Sequence, residues 1–218
     1  MRFDLLIKGG HVLDAAAGRD GRMDVAIVRD RIAAVAPSIP AEAAFRVIDA
    51  TGQYVSPGLV DMHAHVFHRF TAIGIDAENH GSRSGVTTWI DAGSVGGYTL
   101  PGFREFVVDR SRVRIRAFLN ISATGLVAHD YELAHLEYCN TRAFEIMANS
   151  NRDLVLGVKV RMGIPQYDVL GIEPLVRARA MADACALPLM VHIAWSPPAL
   201  EDVLPHLRPG DIITHCFT

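Results

Sequence analysis

Val55-Ser56-Pro57-Gly58-Leu59-Val60-Asp61-Met62-His63-Ala64-His65 is the stretch on which the reading of this chain turns. Pro57-Gly58 closes one run of strand-like sequence, and an apolar run then opens at Leu59 and ends in a His-x-His pair. Side chains alternate faces along a strand, so His63 and His65 point the same way. Two imidazoles so placed can grip one metal ion at about 2.0–2.1 Å. A lone His-x-His also arises from two hydrogen-bonded surface histidines, so its meaning depends on the rest of the chain.

Upstream, residues 1–57 read as short strands with turn punctuation: Phe3 to Lys8 before Gly9-Gly10, His11 to Leu13, Asp24 to Val28, Arg31 to Ala36, Val47 to Asp49, and Tyr54-Val55. This predicts a small antiparallel β module. From residue 58 to 218 the rhythm becomes apolar strand, loop, helix and strand again, as in parallel βαβ units buried on both faces. Strands are expected at Leu59 to Met62, Val86 to Ile90, Val113 to Leu119, Leu154 to Val160, Pro188 to Ile193 and Asp211 to Thr214. Helices are expected at Glu173 to Ala184, with Arg177 and Arg179 facing away from the apolar side, at Tyr131 to Asn149, and at Gly102 to Asp109. Six parallel strands suit an open doubly wound sheet or part of an eight-stranded barrel. The first usually places a glycine-rich phosphate loop after its first strand, and none follows Leu59 to Met62. A full barrel takes roughly 250 residues, more than remain here.

Composition narrows the function. The 218 residues are 50% hydrophobic and 21% charged, enough to bury a core, and the net charge of −3 offers no basic excess for a nucleic-acid backbone. No run approaches the roughly 18 apolar residues of a membrane helix, because Ala186 to Trp195 is interrupted by Pro188 and His192. Neither nucleic acid nor membrane is expected as a partner. Cys139, Cys185 and Cys216 form no CxxC motif and no even-numbered framework, which fits a reducing compartment such as the cytoplasm.

The strand ends carry the chemistry. His192 ends Leu189-Met190-Val191-His192 and His215 ends Ile212-Ile213-Thr214-His215. In parallel βα units the C-terminal strand ends share one side, where barrel active sites are built, so four histidines gather at one mouth. The fourth strand carries Lys159 in Gly157-Val158-Lys159-Val160-Arg161. A buried ammonium is costly unless paired. Either it pairs with an acid such as Asp91, or it becomes a carbamate through carbon dioxide and bridges two cations. Arg161 shares its face, suited to a substrate carboxylate or to a salt bridge at the rim. Asn120, Tyr98 and His68 are further candidates for substrate contact, each with solvation as the simpler reading. Cys216 is expected to pack.

With its N-terminal β module, the Pro-Gly-Leu-Val-Asp-x-His-x-His entry, Lys159, His192 and His215, the chain resembles the amidohydrolase superfamily of metal-dependent hydrolases. Trp89-Ile90-Asp91-Ala92-Gly93-Ser94, Gly157 to Met162 and Thr214-His215-Cys216-Phe217-Thr218 are most similar to its deacetylase-like branch, near the dihydroorotases, hydantoinases and D-aminoacylases. The resemblance implies an α/β fold: a (β/α)8 TIM-like barrel, incomplete here at about six strands, with a β-sandwich module at residues 1–57. It further implies two zinc ions, His63 and His65 on one, His192 and His215 on the other, and carboxylated Lys159 between them. A hydroxide bridging the metals would cleave an amide or ester bond of a small acylated substrate. The family's general base, an aspartate at the end of the eighth strand, has no match up to Thr218. The chain is therefore expected to be the N-terminal part of a longer protein and inactive alone, with homo-oligomerisation left open. Two rivals stand beside this reading: a mononuclear deaminase of the same superfamily, which generally dispenses with the bridging lysine, and a catalytically silent scaffold, which tends to lose ligands.

Overall fold

The computed structural model describes residues 2–164 and 169–217, and separates the chain into two compact units, Met1–Gly58 and Leu59–Thr218. Thr218, the last residue of one motif phrase, lies outside the described residues.

The first unit is one mixed sheet of five strands: β1 (Phe3–Asp14), β2 (Arg19–Val28), β3 (Arg31–Ala36), β4 (Ala44–Asp49) and β5 (Tyr54–Val55). The antiparallel expectation holds for β1 with β2 and for β2 with β3. It fails for β4 and β5, which both run parallel to β1. The chain crosses from β3 to the far side of β1 through Pro37-Ser38-Ile39-Pro40 rather than reversing in a hairpin. The two expected pieces Phe3 to Lys8 and His11 to Leu13 are one strand with a bulge between Ile7 and Gly10. Buried Asp24 ties the unit together: it takes the Lys8 ammonium at 2.9 Å and the backbone N–H groups of Gly9 at 2.7 Å and Ile39 at 2.8 Å.

The second unit holds six parallel strands: β6 (Leu59–Ala64), β7 (Val86–Ala92), β8 (Arg114–Asn120), β9 (Val155–Arg161), β10 (Leu189–His192) and β11 (Ile212–Thr214). They lie side by side in chain order. A doubly wound sheet reverses direction at a switch point, whereas a strict sequence order puts every crossover helix on the same face. Six strands laid flat would hold the edges about 24 Å apart. Yet His63 on β6 is bonded through Nδ1 to Thr214 Oγ1 on β11 at 2.6 Å. The sheet is therefore curled into part of a barrel, with β6 and β11 approaching across its mouth.

Period-two alternation then sorts the strand side chains. Trp89, Ala117, Leu119, Val158, Val160, Leu189 and Val191 join the large core with Leu175, Ala178 and Met181 of helix α4 (Glu173–Cys185). Ile90, Ala92, Phe118 and Met190 form a separate cluster on the concave face with Ile212. Lys159 is opposite Met190 and Asn120, and Arg161 opposite His192, so these polar residues belong to the concave face as well.

The remaining helices are α1 (Ala77–Ser84), α2 (Leu100–Phe103), α3 (Thr141–Ser150) and α5 (Leu200–Val203). Asp76 caps α1 and Gly85 ends it in the left-handed region at φ 75°. The helix expected over Tyr131 to Asn149 is only its second half: the Asn140 side chain accepts from Ala143 N and caps α3, leaving a short 3₁₀ turn at Leu136–Tyr138 before it. Gly102 to Asp109 is α2 continued by a π-helical turn at Arg104–Val108. Arg179 does not face away. It is largely buried and pairs with Asp211 at 2.7 Å and Asp183 at 2.8 Å, joining α4 to the segment before β11. Cys216 is exposed rather than packed, and no described helix is long and apolar enough to cross a membrane.

Asp24 yields a prediction. Burial alone would raise its carboxyl, but the Lys8 ammonium and the Ile39 and Gly9 N–H groups outweigh that and hold it below 3.8. A carboxylate depressed in the folded state contributes stability above its ordinary pKa and loses it as pH falls through the folded value. Asp24→Ala should cost about 2 kcal/mol at pH 7 by denaturant unfolding, the Lys8 end being partly solvated. It should also speed hydrogen exchange at the Gly9 and Ile39 amides, with a smaller difference from wild type below pH 3.

Candidate metal centre

Four imidazoles meet at the mouth of the curled sheet. Ring centroids of His63 and His65 lie 5.5 Å apart, those of His63 and His215 4.8 Å, and those of His192 and His215 4.6 Å. His63 and His192 stand at the ends of β6 and β10, and His65 and His215 one residue past β6 and β11. His215 follows in the left-handed region at φ 69°, a costly conformation for a non-glycine residue and one that concentrates at functional sites. Among the described residues no three His, Cys, Asp or Glu side chains are already closed around one point. The curled sheet brings the imidazoles into ring contact without collapsing them onto a common centre.

Burial, followed by the nearby Lys159 ammonium, pushes every one of these histidines down. His63 falls to about 4, and His65 and His192 to about 3; His215 is lowered as well. All four are therefore neutral at pH 7, the form that donates a lone pair to a metal. Among the described residues His192 Nε2 is buried without a hydrogen-bond partner. An orphaned buried nitrogen is rare in folded proteins, and a water or an ion is one way to satisfy it.

Lys159 lies beneath, 1% exposed. Among the described residues its Nζ has one hydrogen-bond partner, the thioether of Met190 at 3.6 Å. No ion pair joins it to Asp91 among the described residues, although that carboxylate lies near enough to oppose the depression of the lysine. Burial and then the Arg161 charge bring the amine down to about 7. Room for its stem is made by Gly93 at φ 92°: a Cβ there would overlap Lys159 Cγ and lie 2.8 Å from Lys159 Cβ.

Asp91 serves the loop instead. It accepts Val66 N at 2.8 Å through Oδ2 and Ser94 N at 2.6 Å through Oδ1. Complete burial raises its pKa to about 6, held there by N–H groups of Val66, Ser94 and Gly93 and by the Ser94 hydroxyl. Ser94 Oγ in turn lies 2.9 Å from His65 Nδ1. Ser94 and Thr214 join the site only through these contacts, since a serine or threonine beside a strand end carries no signal until the partner strand is placed.

The other candidates are differently disposed. Arg161 Nη1 donates to Glu132 Oε1 at 2.9 Å and to the His129 carbonyl at 2.8 Å, and the residue lines a cleft of about 450 Å³ with Met162, Ile164, Pro174, Pro198 and Asp202. Asn120 is spent on the backbone, donating to Gly93 O and accepting from Ser122 N. Tyr98 is exposed, and its hydroxyl takes a hydrogen bond from Asn140. His68 is bonded to the Gly74 carbonyl and lines a separate cleft with Asp76, Phe106 and Arg110.

A parallel βα sheet curled in chain order, with side chains gathered at the C-terminal strand ends, is the arrangement of part of a (β/α) barrel. Known proteins agree. The chain is 40% identical over 190 residues to a deacetylase of Agrobacterium fabrum, a match covering 86% of this chain and 46% of that protein. It superposes on a crystal structure of a dihydroorotase with a TM-score of 0.90 at 34% identity, covering 98% of this chain and 57% of the other. A crystal structure of an adenine deaminase gives 0.87, also at 34% identity, covering 99% and 57%. No family model matches. The chain belongs to the amidohydrolase superfamily, and it spans about half the length of the curated relatives it matches.

Gly93→Ala tests the cradle: overlap with the lysine stem and the left-handed backbone should together cost about 3 kcal/mol in denaturant unfolding. An unchanged midpoint would mean that Lys159 has another route to its pocket.

Proposed function

We propose that this sequence belongs to a hydrolase that cleaves an amide or ester bond of a small acylated molecule at a centre of two divalent ions, zinc in our reading. The observation that carries the proposal is the buried, unpartnered His192 Nε2 among imidazoles held neutral. His63 and His65 would hold one ion and His192 and His215 the other. When bound, such ions supply a hydroxide nucleophile at neutral pH and polarise the scissile carbonyl.

The chain's own residues do the rest. Neutral Lys159 Nζ could bond to the carbon of carbon dioxide and release a proton, and the resulting carbamate would supply anionic oxygens to hold the cations. Among the described residues no acid is ion-paired with the amine and its neighbour is a thioether, which leaves it open to that reaction. The carbamate also replaces a positive charge with a negative one among the histidines, which suits cation binding. Arg161, braced by Glu132 and at the edge of the 450 Å³ cleft, is placed to hold a substrate carboxylate. Proton transfer in the family pattern falls to an aspartate with no counterpart among these 218 residues. The likeness to an adenine deaminase structure favours a deaminase as the second reading; Lys159, for which a mononuclear deaminase has no use, weighs against it.

Purified protein should retain divalent metal. Lys159→Ala and His192→Ala should each weaken zinc binding by more than the roughly 10–100-fold typical of outer-sphere changes, read by chelator competition. In the whole protein, release of acetate from N-acetylated amino acids without ammonia from adenine supports the hydrolase; the converse supports the deaminase. Zinc binding unaffected by both substitutions would overturn the proposal.

A further inference from the structure

We propose that Ser94 and Asp91 are positioning residues that fix His65 as the tautomer with its proton on Nδ1, so that the Nε2 lone pair is the one offered to a cation. The inference rests on the metal reading above for its purpose, but not for its geometry.

His65 Nδ1 and Ser94 Oγ are 2.9 Å apart, and either atom could be the donor. The choice decides what His65 can do. If the hydroxyl donates, Nδ1 is the acceptor and Nε2 carries the ring proton, which leaves no lone pair at Nε2 for a metal. If the imidazole donates, Nε2 is unprotonated. Asp91 breaks the tie. Its two oxygens already accept from backbone N–H groups on both sides of this contact, Val66 N directly after His65 and Ser94 N itself. A carboxylate receiving such donors is an acceptor on the Ser94 side of this contact, and the Ser94 hydroxyl is among the groups that favour its charged form. The hydroxyl proton is drawn toward Asp91, and the oxygen is left to accept from His65 Nδ1–H. The same carboxylate pins the backbone at residues 66 and 94, so the ring and its partner are held at both ends. Asp91 and Ser94 are both fully buried, which excludes water as a competing partner. Outer partners of ligating histidines commonly act in this way. In this chain the carboxylate works through a serine.

Two-bond ¹H–¹⁵N correlation spectra of metal-free, ¹⁵N-labelled protein distinguish the tautomers, with the His65 peaks identified by their loss in His65→Gln. The expected result is the Nδ1–H form in wild type, a mixture of tautomers in Ser94→Ala with zinc binding about 10–100-fold weaker, and restoration of both in Ser94→Thr. If Ser94→Ala does not fold, wild type and Ser94→Thr still read the tautomer. An Nε2–H form in wild type, or a Ser94→Ala protein with unchanged tautomer and zinc affinity, overturns the inference. A wild-type protein that takes up no zinc, yet shows the Nδ1–H form and loses it in Ser94→Ala, upholds the relay while contradicting the metal reading.

Discussion

Curling of the six-stranded parallel sheet is the constraint on which the site depends. Because β6 to β11 follow one another in chain order, their helices cover one face, and the other face closes on itself. Curling sets His63 against Thr214 across the mouth and brings His215 into ring contact with both His63 and His192. The concave face below carries an apolar patch of Ile90, Ala92, Phe118, Met190 and Ile212 beside Asn120, Lys159 and Arg161. The depressed basicity of Lys159 is a consequence of where the curl buries it.

The metal-ligand candidates were legible because they follow from local rules. His63 and His65 share a face by the period of two, and Lys159, His192 and His215 stand at or next to strand ends that apolar runs announce. What the sequence concealed depends on pairing over distance. Ser94 and Thr214 acquire meaning only when the loop after β7 meets β6 and when β11 swings towards β6. Arg179 looked solvated because its partner Asp211 lies 32 residues away. The parallel pairing of β4 and β5 with β1 has no local signature, since strand direction is set by a crossing that turn residues do not encode. Asn140 is the converse case: a helix cap present in the sequence but submerged in a longer apolar pattern.

Relatives that share this architecture carry different names: a deacetylase, a dihydroorotase, an adenine deaminase. One scaffold can host different sites, because loops at its strand ends vary while the packed core is kept. On the concave face, opposite His192, lies Arg161, paired at 2.9 Å with buried Glu132. The pair is too deeply set to serve surface solubility: the Arg161 side chain is 10% exposed and that of Glu132 is fully buried. A guanidinium anchored on one side by a carboxylate keeps its remaining donors oriented.

The most direct measurement of the account is an anomalous-scattering map at the zinc edge from crystals grown with zinc and bicarbonate. The account predicts two peaks, one beside His63 and His65 and one beside His192 and His215, with density for a carbamate on Lys159 Nζ between them. No peak among these imidazoles, with an unmodified Lys159 against Met190, would contradict it.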